Sequence, residues 1–278
     1  MKTATDGAPA EGPSAVSPLA EVARFEGRNR LTVTAVLAVL FSAFGALYIW
    51  IGPQMIDAGF SEMLDAMPPI VNELFGFESL ASIEGLLASE FYTLGWIVGL
   101  GGYLAYTAAG TVAGDLGEGR MDTLLAGPVA RRSVLLGKFV AVLVPIVVLN
   151  VVVPAVLYVM ALAAGQSLSI VDLAVVHALS IPYLLFWSAF GLLVGAVVRR
   201  GRTAGRLALG IVFLGWLGES VIATTDYKWV GGISPMRYFD PQDVLIHGTF
   251  DLVGAVILLV GVAVLLTASH HWFGTRDL

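Results

Sequence analysis

Six stretches of this chain are long and apolar enough to cross a lipid bilayer, and no other feature limits the fold so strongly. A helix needs about 20 mostly apolar residues to span the hydrocarbon core. Residues 31–51, 91–113, 134–164, 171–198, 203–224 and 252–269 meet or approach that length once Gly, Ser and Thr are tolerated. Composition agrees, with 57% of the 278 residues hydrophobic and 13% charged, against roughly 25% charged residues in an average soluble domain. The mean hydropathy is +0.84. The sequence therefore predicts an all-α polytopic integral membrane protein of six transmembrane helices.

Lysine and arginine set the expected orientation, because basic flanks are retained on the cytoplasmic side. With both termini cytoplasmic, that side holds Lys2, Arg24, Arg28, Arg30, Arg120, Arg131, Arg132, Lys138, Arg199, Arg200, Arg202, Arg206 and Arg276, and only Lys228 and Arg237 lie outside. The opposite orientation reverses nearly every charge. The external loop expected at 53–90 carries Asp57, Glu62, Asp65, Glu73, Glu78, Glu84 and Glu90 without a base. Met55, Ile56, Phe60, Met63, Leu64 and Met67 fall at helical spacing there, broken by Pro68 and Pro69, which predicts short amphipathic helices on the outer face. Aromatic residues mark the interfaces where amphipathic rings are stable. Tyr48 and Trp50 close the first span; Phe91, Tyr92 and Trp96 open the second; Tyr227 and Trp229 follow the fifth; Trp272 and Phe273 end the sixth.

The chain has no cysteine, which excludes disulfides, thiolate metal sites and thiol nucleophiles. Residues 1–17 are rich in Pro, Ala, Ser and Gly and lack the apolar core of a cleaved signal. They read as a disordered tail, leaving the first span to direct insertion. His270 and His271 are adjacent, so they point to different helix faces and make no metal pair. No H-E-x-x-H or G-x-S-x-G pattern supports an intramembrane enzyme.

One polar run stands out. GDLGEGRMDTLLAGPVARRSVLLGK, residues 114–138, separates the second and third spans and is longer than a minimal turn. Asp115 and Glu118 suit the start of a short helix, where the dipole favours negative charge. Met121, Leu124 and Leu125 share one face at i, i+3, i+4. Gly127 ends that helix and Pro128 fits the first turn of the next, followed by Arg131, Arg132 and Lys138. Basic residues that meet anionic headgroups would explain the charges, but not an apolar face projecting from the membrane. That face reads as a docking surface.

These residues resemble the signature of type-2 ABC transporter permeases: an acidic, Gly-containing turn, a leucine-rich short helix, Pro-x-x-Arg, and Leu-Leu-Gly-Lys leading into the third span. Asp115, Gly119, Asp122, Leu124, Leu125, Pro128, Arg131, Leu135, Leu136, Gly137 and Lys138 occupy those positions, with Gly117 and Arg120 as departures where an acid and a Thr are common. The likeness extends to 233–248 and to the closing 273–278. It implies that 115–132 contacts a separate ATP-binding subunit, with Asp115, Glu118, Gly119, Arg120, Met121, Asp122, Leu124, Leu125, Pro128 and Arg131 at the contact. It also implies an amphipathic connecting helix within 18–30, a second permease copy or homologue, a cell-membrane location, and export. ATP and magnesium would belong to the partner. This chain has no phosphate-binding G-x-x-x-x-G-K-[ST] loop, since its one Gly-Lys pair, Gly137 and Lys138, has Arg132 at the required glycine and Phe139 at the hydroxyl position. No cofactor and no nucleic acid is expected on it.

Polar groups at membrane depth are costly and face the bundle interior or a pathway. Asn150, His177 and Glu219 are the candidates for lining one. An interhelical hydrogen bond is the alternative reading for Asn150, and hydration near the outer interface for His177 and Glu219. Gly95 with Gly99, Gly110 with Gly114, and Gly191 with Gly195 permit close helix approach, within the bundle or between copies. Pro145, Pro154 and Pro182 permit bends. The function expected is the membrane-spanning half of an ABC exporter; the alternative is a non-transporting scaffold or sensor docking an ATPase or signalling partner.

Overall fold

A computed structural model describes residues 17–58, 82–121, 130–223 and 225–275. Among these, every regular element is helical, and six helices are long and apolar enough to cross a membrane: Pro18–Asp57, Ile83–Gly117, Arg131–Ala163, Ile170–Val197, Gly201–Ala223 and Leu252–Gly274. They are the first to sixth spans below.

Helix starts follow local chemistry that the apolar runs do not display. Ser17 caps the first span with Pro18 behind it, Ser82 the second, Ser169 the fourth and Asp251 the sixth, each accepting a bond from a backbone N–H three residues on. The second span consequently begins at Ile83, eight residues before the expected 91. Glu84 and Glu90, assigned to the outer loop from sequence, lie inside that helix. From Leu87 to Leu100 it is wound as a π-helix, in which the Thr93 hydroxyl donates to the Ala88 carbonyl five residues back.

Residues 18–30 are not a separate connecting helix. They are continuous with the first span in one helix of 40 residues, Pro18–Asp57, about 60 Å at 1.5 Å per residue, which exceeds a bilayer's hydrocarbon core of about 30 Å. Met55 and Ile56 belong to its last turn; Phe60, Met63, Leu64 and Met67 lie outside the described residues.

The first span packs along the third, the second lies against the fourth and fifth, and the sixth covers the fourth. Gly191 and Gly195 set the closest of these approaches. A Cβ on Gly195 would sit 2.6 Å from the Ala109 carbonyl, and one on Gly191 would strike the Ala105 carbonyl. This glycine pair therefore packs inside the bundle, against the second span.

The aromatic residues divide in a way composition does not predict. Trp50, Tyr227, Trp229 and Trp272 are exposed at the bundle ends, whereas Phe91, Tyr92, Trp96 and Phe273 are fully buried. Expected as an interfacial belt, Phe91, Tyr92 and Trp96 instead form an interior cluster with Phe41 and His177. The earlier helix start carries them below the interface.

Candidate functional site

Both ends of the described chain meet at one end of the bundle. There Lys138, only 2% exposed, places its ammonium 2.5 Å from Glu26 of the first span and 2.6 Å from Asp115 of the second. Arg120 adds bonds to Asp115 at 2.9 Å and to Glu118 at 2.7 Å. Its hydrogen bond to Asp115 raises the guanidinium pKa further, so the charge is permanent. Three spans are thus joined by one ion network at the root of the 114–138 segment. Gly137 makes room for it, since a Cβ there would lie 2.8 Å from Val22 on the first span. The Gly-Lys pair, unusable as a phosphate loop, is a packing site and an ion-pair hub.

Several residues of the segment sit differently from the sequence expectation. Asp115 and Glu118 do not start a short helix; Asp115 is in the last turn of the second span and Glu118 caps its C-terminus. Gly119 follows at φ +69, the left-handed residue that commonly ends a helix. Two carboxylates at a helix C-terminus oppose the dipole, and Lys138 and Arg120 offset them.

Met121 is not on an exposed face. It is 1% exposed, packed in a cluster with Val134, Ala196 and Phe273. Arg131 opens the third span and donates to the Phe273 and Gly274 carbonyls at 3.4 and 3.3 Å, tying the segment's far end to the sixth span's C-terminus. Asp122, Leu124, Leu125 and Pro128 lie outside the described residues.

Of the intramembrane polar residues, the structure brings Asn150 and His177 together and leaves Glu219 apart. The Asn150 amide N–H donates to the Ile146 carbonyl at 2.8 Å, which turns its oxygen toward Ser180 Oγ at 2.8 Å and His177 Nδ1 at 3.0 Å. His177 Nδ1–H is then the donor, and Nε2 accepts from the Tyr92 hydroxyl at 2.9 Å. The result is a neutral imidazole with both nitrogens bonded, joining the second, third and fourth spans. His177 is 2% exposed, buried between the spans rather than on the surface. Tyr92 and Ser180 escaped the sequence reading because a hydroxyl in an apolar run gives no sign of which helix it faces.

Glu219 lines a 330 Å³ cavity at the opposite end of the bundle, between Thr93 and Ile97 of the second span, Trp216 and Ser220 of the fifth, and the loop from Lys228 to Gln242. Arg237 approaches it at 3.8 Å, while its Oε2 is buried without a hydrogen-bond partner among the described residues. At the termini-bearing end, a second cavity of 820 Å³ lies between the same two spans, around Tyr106, Gly110, Arg202 and Arg206. A close contact separates the two: a Cβ on Gly102 would meet Leu209 at 2.6 Å. The second and fifth spans thus share a seam, hollow at both ends and closed in the middle.

A bundle of six helices, each long and apolar enough to cross a membrane, is the architecture of a multi-pass membrane protein. The family model for ABC-2 family transporter proteins matches residues 27–278, and the chain belongs to that family. It is the membrane permease component of an ABC transporter. No curated protein matches it.

Proposed function

We propose that this permease is an exporter driven by a separate ATP-binding subunit, which docks on residues 115–132 at a cytoplasmic face that also carries both termini. ATP and magnesium act in that partner. Two copies of the chain, or this chain and a homologue, flank one pathway. The observation that carries this reading is the Glu26–Asp115–Lys138 network. A load applied to the segment reaches three spans through charges whose separation inside the protein is costly. Closure of two ATP-binding subunits would draw the paired segments together, favouring one arrangement of the bundles by differential binding. The seam offers the element that rearranges, with Glu219 at one mouth. Asn150 and His177 act as fixed packing beside it, since their hydrogen bonds are already satisfied. Export is the direction that the family resemblance implies.

Co-expression with a candidate ATP-binding subunit tests the docking. Wild type should co-purify with the subunit, and a Leu124→Asp, Leu125→Asp variant should not, while eluting as the same folded membrane protein. A variant that retains the complex would refute docking on this segment.

A further inference from the structure

The 820 Å³ cavity at the termini-bearing end is strongly charged, and the coupling role leaves that charge unused. Arg120, Arg199, Arg200, Arg202 and Arg206 line it against a single carboxylate, Glu118. Arg120 is committed to Asp115 and Glu118. No ion pair among the described residues reaches the other four. Arg202 lies in the first turn of the fifth span, where unsatisfied N–H groups are already positive and a cation is disfavoured.

Backbone packing fixes where these side chains leave the chain. A Cβ on Gly117 would lie 2.6 Å from the Arg199 carbonyl, and one on Gly201 3.0 Å from the Gly110 carbonyl. The turn bearing the arginines is therefore pressed against the second span and holds them around one opening. Concentrated positive charge beside a helix N-terminus is relieved by an anion.

A second observation narrows the anion. Arg202, Arg206, Leu209 and Phe213 recur at i, i+4, i+7 and i+11 and so form one stripe along the fifth span. The stripe passes from cations to apolar side chains, and Leu209, Phe213 and the cavity-lining Tyr106 remain exposed. A ligand matching both halves is amphiphilic, with a negative head and an apolar tail. We propose that the cavity binds the phosphate-bearing headgroup of an anionic membrane lipid, whose acyl chain lies along Tyr106, Leu209 and Phe213.

The test needs no ATP-binding subunit, so it stands or falls separately from the transport mechanism. Native mass spectrometry of the full chain in detergent would compare dioctanoyl phosphatidylglycerol, dioctanoyl phosphatidylcholine and glycerol 3-phosphate. The glycerol lipid should be retained about ten-fold more than the choline lipid, and Arg202→Ala with Arg206→Ala should remove most of that preference. Arg24→Ala with Arg28→Ala, exposed cations at the same end but outside the cavity, should leave it intact. Equal retention of the two lipids, equal loss in both double variants, or glycerol 3-phosphate binding as tightly as the lipid would each overturn the proposal. So would a dimer that excludes the lipid and separates when Arg202 and Arg206 are replaced.

Discussion

Lys138 Nζ lies 2.6 Å from Asp115 Oδ2, joining the third span to the second where the latter's helix ends. With Glu26 at 2.5 Å, the ammonium bridges two carboxylates, and Arg120 supplies the second positive charge at Asp115. Lys138→Met should therefore destabilise the bundle by about 3–5 kcal/mol, the usual cost of stranding buried charge, measured by thermal unfolding in detergent. Adding Glu26→Gln and Asp115→Asn to Lys138→Met should recover most of the loss. An unchanged midpoint for Lys138→Met alone would show that the network holds nothing together.

The His177 network predicts a graded series. Tyr92→Phe removes one bond and should cost about 0.6 kcal/mol, with roughly 1.7 as the ceiling for interhelical bonds of this type. Asn150→Leu strands the His177 Nδ1–H, while the Ser180 hydroxyl keeps the His177 carbonyl as acceptor, and should cost more, about 1–3 kcal/mol. Unfolding titrations in mixed micelles would rank the two variants; the reverse order would contradict the donor assignment at His177.

Glycine substitutions provide an internal control. Gly191→Ala places a methyl into the Ala105 backbone and should cost about 1–3 kcal/mol by overpacking. Gly210 has nothing within 4 Å of the corresponding position, so Gly210→Ala should be neutral or slightly stabilising through helix propensity. Thermal midpoints for the pair would show whether the second and fourth spans meet as described.

The absence of cysteine lets single reporters define sidedness. Trp229→Cys, on an exposed loop residue, should react with a membrane-impermeant maleimide in intact cells. Arg200→Cys should react only after the membrane is opened. Labelling of Arg200→Cys alone in intact cells would invert the proposed orientation.

Much of the fold was legible because burial in lipid demands long apolar helices, and this demand is written in every span. The span boundaries were less so, since Ser82 extends the second span through Ser-Ile-Glu-Gly, a stretch that hydropathy assigns to a loop. That same shift moved Phe91, Tyr92 and Trp96 from an expected interfacial position into the core. Gly119 could have been read as a helix-ending glycine, which would have placed Asp115 and Glu118 at a C-terminus. Lys138 also gave a signal, as a lone cation within an apolar run. Its partner Glu26, 112 positions away, did not, because periodicity describes one helix and carries no information about which helix lies beside it. The cationic cavity was hidden for the same reason: Arg199 to Arg206 read as topology anchors until their opposing wall, Tyr106 to Glu118, is known.

The most direct measurement is a cross-link between the segment and the ATP-binding subunit. Leu125→Cys in this cysteine-free chain, co-purified with that subunit and treated with a photoactivated maleimide, should yield an adduct of permease and subunit; Trp229→Cys should not. An ATP-hydrolysing complex in which Trp229→Cys forms the adduct and Leu125→Cys does not would contradict the docking site and the orientation together.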